Sequence, residues 1–280
     1  MMASAAVRSV LPGFSIEMTG KDVDALREAA PALPAGTRVN VTFLGNEDLA
    51  MRTAAARAAL ELGLHPVPHL SARRIGSRAE LDAILAELGG IGASESVLVV
   101  GGDPAQPLGP YASSLELVRT GALADAGVRE LWVAGYPEGH PDIPDDELWR
   151  ALEGKAAAAA EQGLGLGVIT QFGFDADAVL DWLAAVRDRG IDAPVRVGVP
   201  GPAGVKRLLA FAGRFGIASS ASIVRKYGLS LANLVGTAGP DRFLARLGEG
   251  LDPARHGEVG VHFYPFGGIG ATADWIRVAS

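Results

Sequence analysis

The feature that most limits what this chain can fold into is a repeated alternation. Eight short runs rich in Val, Ile and Leu stand at 14–18, 38–44, 66–70, 96–100, 130–134, 165–170, 195–199 and 259–263. Between them lie stretches with apolar residues every three or four positions, at 21–30, 47–63, 78–88, 113–124, 145–162, 175–189 and 204–215. Ser77 and Asp175 stand where helix caps belong, since a short side-chain oxygen there can accept an orphan backbone N–H. Two further helical pieces, 219–227 and 229–247, precede the last run. Strand and helix alternating eight times, at spacings of roughly 30 residues, is the pattern of a closed (β/α)₈ TIM barrel. An open doubly wound sheet would carry a Gly-rich nucleotide turn after its first strand. Here that turn reads Glu17-Met18-Thr19-Gly20, so the barrel is expected, as one α/β domain over 1–280 with 1–12 a loose N-terminal segment.

Composition agrees with a large core and removes several function classes. Hydrophobic residues are 49% of the 280 and charged residues only 20%, which excludes a disordered chain. The net charge of −7 and the lack of any basic block argue against nucleic acid, whose phosphates require clustered cations. With no Cys there is no disulfide, thiolate nucleophile or thiolate metal site. The five His show no helical pairing for a metal, so none is expected. No apolar run reaches membrane-spanning length, and the expectation is a cytoplasmic protein.

In a barrel the working face is the C-terminal end of the strands, so the residues leaving each strand carry the functional reading. Glu17 lies in or just past the first strand. A carboxylate in that wall is costly unless paired or functional, and a desolvated one suits general-acid work; a structural salt bridge is the plain alternative. Asp103 follows Gly101-Gly102, where the backbone can approach a ligand closely, although Asp-Pro turns are common at strand ends. Tyr136, Glu138 and His140 sit in a loop stiffened by Pro137 and Pro141. Gln171 offers one acceptor and two donors, which suits the edge of a heterocycle, or else only its own loop backbone. His69 reads equally as a hydrogen-bonded core residue. Phe263 and Tyr264 alternate across the last strand, so only one of them can face the barrel.

These motifs, in this order, resemble the methylenetetrahydrofolate reductase family. The supporting segments are Phe14-Ser15-Ile16-Glu17, Val41-Thr42-Phe43, Pro68-His69-Leu70, Gly102-Asp103-Pro104 and Tyr111-Ala112-Ser113. The specific ones are Tyr136-Pro137-Glu138-Gly139-His140-Pro141 and Ile169-Thr170-Gln171-Phe172-Gly173-Phe174-Asp175. The resemblance implies a barrel that binds FAD and takes NADH or NADPH as co-substrate, with a folate as substrate. By it, Glu17 is the acid that protonates folate N10 as the ring opens to an iminium. Asp103 favours that cation electrostatically, and Gln171 bonds the folate and the nicotinamide in turn. Thr42, His69, Gly102, Asp103, Tyr111, Ala134, Tyr136 and His140 line the flavin, Arg150 and Lys155 approach its phosphates, and Phe263 or Tyr264 packs on substrate. The resemblance also implies a homo-oligomer.

The chain departs from the family's pattern in three places. Gly101 stands where the family usually has Arg before Gly-Asp. The helix after His140, which usually offers Asp, Asn, Arg and Lys to the flavin ribose and phosphates, here reads Leu148-Trp149-Arg150-Ala151-Leu152-Glu153-Gly154-Lys155. Lys155 to Gln171 is a longer interval than usual. These departures leave direct hydride transfer without flavin as an alternative. Two others are an oxidative direction linked to demethylation and a non-catalytic folate- or flavin-binding module.

Overall fold

A computed structural model describes residues 4–214 and 237–280. Eight parallel strands close into a barrel in sequence order, the last pairing with the first. They are β1 (Ser15–Met18), β2 (Arg38–Val41), β3 (His65–Ser71), β4 (Ser96–Val100), β5 (Glu130–Gly135), β6 (Gly165–Thr170), β7 (Val195–Pro200) and β8 (Val259–Tyr264). The second strand is shorter than the sequence suggests. Thr42 still donates to Met18, but the chain then leaves the sheet and Leu44 is exposed.

The helices are α1 (Ala5–Val10), α2 (Val23–Ala29), α3 (Leu49–Glu61), α4 (Arg78–Gly90), α5 (Ser114–Arg119), α6 (Ala122–Asp125), α7 (Asp145–Glu161) and α8 (Ala176–Asp188). They continue with α9 (Val205–Arg214), α10 (Asp241–Gly250), α11 (Pro253–His256) and α12 (Ile269–Ala279). Ser77 and Asp175 cap α4 and α8 through Glu80 and Ala178 N–H, as their residue types suggest. The N-terminal stretch expected to be loose holds α1, whose Val7 and Val10 are buried. Gly248 of α10 lets the α1 backbone approach at Ala6, which explains that docking. The expected helix 219–227 lies outside the described residues. The described part of 229–247 begins as a short strand, Thr237–Ala238, and becomes helix only at α10.

Register fixes which side chains enter the barrel. Ser15 and Glu17 pair with Arg38 and Asn40, Leu98 with Trp132, and Gly198 and Pro200 with His262 and Tyr264. Residues paired across parallel strands share a face, so all of these point into the barrel, and the stagger of the strands stacks them in layers. The lowest layer is polar: Glu130 accepts from Arg38 and Ser96, and Arg196 pairs with Glu258. Above it Val67, Leu98, Trp132 and Ile169 make a separate apolar cluster. Gly167 faces Trp132, and a Cβ there would lie 2.5 Å from the indole, so the glycine provides the space the ring occupies. The outward-facing residues belong to the large core between strands and helices.

Candidate active site

The next layer gathers polar groups from β1, β2, β3 and β8, from Ser15 at the start of β1 to Tyr264 at the end of β8. Ser15 Oγ and His262 Nδ1 are 2.8 Å apart, both buried. The other ring nitrogen, Nε2, lies 3.8 Å from Glu17 Oε2. If the serine hydroxyl donates to Nδ1, Nε2 carries the proton and points it at the carboxylate. His69 lies close enough to feel both Glu17 and His262. Burial, the largest influence, lowers its pKa to about 4, so its imidazole is neutral at pH 7. Tyr264 donates to the Thr170 carbonyl at 3.1 Å, and its ring meets His262 edge-on. Burial, then the charges of Glu17 and Tyr136, hold its phenol well above the ordinary tyrosine range.

Several buried polar atoms of this layer have no protein partner: Asn40 Oδ1 and Nδ2, Thr42 Oγ1, His69 Nε2, Ser71 Oγ and His262 Nε2. Buried polar groups are normally satisfied, so these atoms are donors and acceptors open to water or to a polar ligand. Gly102, with φ +95°, lies against Ser71 so closely that any side chain would collide with its hydroxyl.

Of the residues singled out in the sequence, Glu17, Thr42, His69 and Tyr264 enter this layer. Ala134 is on the inward face of β5, between Trp132 and Tyr136. Tyr136 stacks edge-on with His140, whose Nδ1 accepts from Asp142 N–H. Six others fall differently. Phe263 points outward to Phe14 and Trp275 in the helix layer, because it is out of phase with His262 and Tyr264. Tyr111 is buried in the core outside the strands. Asp103 is 72% exposed and ion-paired with Arg74. Gln171 Oε1 accepts from the N–H of Phe172, its own neighbour. Arg150 is exposed and pairs with Asp146, one turn back on α7. Lys155 lies on the buried face of α7 with Leu152 and Ala159.

His262 and Ser15 escaped the sequence reading. Parity was the available signal: His262 is two residues before Tyr264, and Ser15 two before Glu17, so each shares the barrel face of a chosen residue.

Lys155 yields a test of stability. Burial lowers its pKa from the ordinary 10.5 to about 8. Below pH 8 both folded and unfolded chains carry the proton, and the fold bears the full cost of a buried charge. Between pH 8 and 10.5 only the unfolded chain keeps it, so stability rises with pH through that window. Lys155→Met is expected to add on the order of 3 kcal/mol at pH 7 and to flatten that rise. Urea denaturation at pH 7 and pH 10 checks both; an unchanged pH slope would rule out the buried charge.

Among the described residues no group of three or more His, Asp or Glu is placed to hold a metal, and no helix is long and apolar enough to cross a membrane. Fold and site together define a (β/α)₈ barrel with a carboxylate–imidazole centre at its C-terminal mouth. The sequence profile of methylenetetrahydrofolate reductase matches residues 15–224. The chain therefore belongs to the methylenetetrahydrofolate reductase family. Methylenetetrahydrofolate reductase 2 of Saccharomyces cerevisiae is 36% identical over 70 residues, a match covering 24% of this chain and 11% of that protein. A GH18 chitinase from Pseudoalteromonas aurantia shares the fold alone, with TM-score 0.52, 11% identity, and 94% and 98% of the two chains covered. Dihydropteroate synthase from Thermus thermophilus superposes with TM-score 0.49 and 15% identity, over 95% of this chain and 92% of that one.

Proposed function

We propose that this chain reduces the methylene group of a methylenetetrahydrofolate to a methyl group, with a reduced nicotinamide nucleotide as hydride source. The observation that carries the reading is the Ser15–His262–Glu17 arrangement at the barrel mouth of a member of this family. Reduction of the bridging carbon requires one C–N bond to open, and the departing N10 needs a proton as its electron pair returns to it. Glu17 is the acid in this reading. His262 is its nearest imidazole, and the Ser15 hydroxyl fixes the ring so that Nε2 faces the carboxylate. His262 is thus a positioning residue for the Glu17 carboxyl. Tyr264, neutral throughout the ordinary pH range, gives the pocket an aromatic wall on which a pterin or nicotinamide ring can pack.

The FAD that family membership implies would bring two-electron transfer through its ring. That ring would find partners in Thr42, His69 and Ser71 and a close approach at Gly102. The cations expected at its phosphates, Arg150 and Lys155, are respectively paired and buried. The dinucleotide end does not fit these residues, and no step here runs through it.

The test is oxidation of NADH and NADPH by the purified protein with methylenetetrahydrofolate, followed at the nicotinamide absorbance, with methyl-product formation scored separately. Methyltetrahydrofolate formed in step with nucleotide oxidation is expected. Tight folate binding with no turnover from either nucleotide, in either direction, would favour a binding module instead.

A further inference from the structure

The hydride source has a structural consequence of its own. A resident flavin dinucleotide carries a diphosphate, and retaining it through many turnovers needs backbone N–H donors or cations aimed at that group. In this chain the wall formed by the β3, β4 and β5 loops and by α7 does the reverse. The first turn of α7 holds Asp145, Asp146 and Glu147, all exposed, and Asp142 stands in the loop before it. Those carboxylates already compensate the positive end of the α7 dipole, where an anion would otherwise dock, and they repel a diphosphate.

Four described cations of that wall are paired, tied to backbone or buried. Arg73 gives its donors to the carbonyls of Pro104, Ala105 and Ala112, which tie down the β4–α5 loop. Arg74 is paired with Asp103, and Arg150 with Asp146 at 2.6 Å. Lys155 sits ten positions into α7, about 15 Å of helical rise from its start, on the buried face. Gly101 adds no side chain at the remaining position.

We infer that this chain binds no flavin, and that hydride passes directly from the nicotinamide to the folate. The inference rests on the folate reading above. The nicotinamide C4–H bond breaks and a C–H bond forms at the iminium carbon. The iminium π pair moves to N5, and the dihydropyridine becomes a pyridinium. The nicotinamide is oxidised by two electrons, the one-carbon unit is reduced by two, and the proton on N10 comes from Glu17. A co-substrate that departs each cycle needs no deep diphosphate cradle, which is consistent with a wall that offers none.

Two measurements decide it. First, the purified protein is titrated with FAD and separately with FMN, following flavin fluorescence and binding heat. No saturable binding is expected, and a tight stoichiometric complex with either would overturn the inference. Second, NADH or NADPH deuterated at C4, on each face in turn, is turned over with methylenetetrahydrofolate in ordinary water. One face should deliver its deuterium to the product methyl group without loss. A flavin intermediary would hold the label at N5, where it exchanges with solvent, so wash-out overturns direct transfer while leaving the folate reading intact. Absence of turnover with both nucleotides, under conditions where folate binds, sinks the folate reading and direct transfer with it; the flavin titration then judges the remaining half alone.

Discussion

Replacing Glu17 with Gln is expected to slow methyl-product formation by roughly 10²- to 10⁴-fold, the span that a positioned general acid supplies. Gln keeps the size of the side chain and an oxygen near His262 Nε2, but it cannot give up a proton. The loss should therefore appear in kcat, with folate and nicotinamide affinities nearly unchanged. Pre-steady-state mixing with folate and nucleotide, at matched fold stability, separates the two. Full turnover in the variant would remove Glu17 from the chemistry and leave His262 and Ser15 as a structural pair. The residue is suited to such a test because 21% of its side chain is exposed and its pairing with Asn40 runs through the backbone, which an amide side chain leaves alone.

Trp132→Ala should produce the largest loss of stability of any single truncation inside the barrel. The indole is 4% exposed and fills the middle layer with Val67, Leu98 and Ile169. The guanidinium carbons of Arg38 and Arg196 lie 5.5 and 6.0 Å from its ring centre, and its N–H reaches Glu130. Truncation leaves a cavity beside Gly167, which has no side chain to refill it, and it removes the apolar lid over the polar layer below. A cost of about 3–5 kcal/mol follows from comparable aromatic truncations. For a chain of this size that corresponds to a Tm lower by roughly 10 °C. Thermal denaturation by calorimetry or circular dichroism gives the number. A shift of only a degree or two would mean that neighbouring side chains collapse into the space, so that Gly167 is not the reason the ring is needed.

Strand positions and fold class were legible because a barrel writes its plan locally. Each strand is a short apolar run, and each helix has its own cap and periodicity. The errors lie where a local pattern is ambiguous. Residues 42–44 look like more strand because Thr, Phe and Leu suit one, but exit from the sheet is decided by the loop that must reach α3. The N-terminal residues looked loose because a six-residue helix has little propensity of its own, and α1 exists by docking on α10.

The site was partly legible for the same reason. Glu17, Thr42, His69 and Tyr264 sit at strand ends with the correct parity, and parity is a local property. Asp103 and Gln171 also lie at strand ends, yet their side chains are claimed by Arg74 and by the Phe172 N–H, partners that a strand-end rule does not foresee. Tyr111 was drawn into the core beyond the strands, and Phe263 was turned outward by one step of alternation.

Sequence alone determined the barrel, the order of its elements and the alternation that sends Glu17 to the lumen, since these depend on neighbours a few residues apart. Only closure of the barrel decided which polar groups meet: Ser15 and His262 are separated by 247 positions, and they come together because the eighth strand pairs with the first. Which ions end up paired, and hence what the mouth can hold, was decided there too. Electrostatic partners are chosen by distance in space, and a periodic pattern carries no record of that distance.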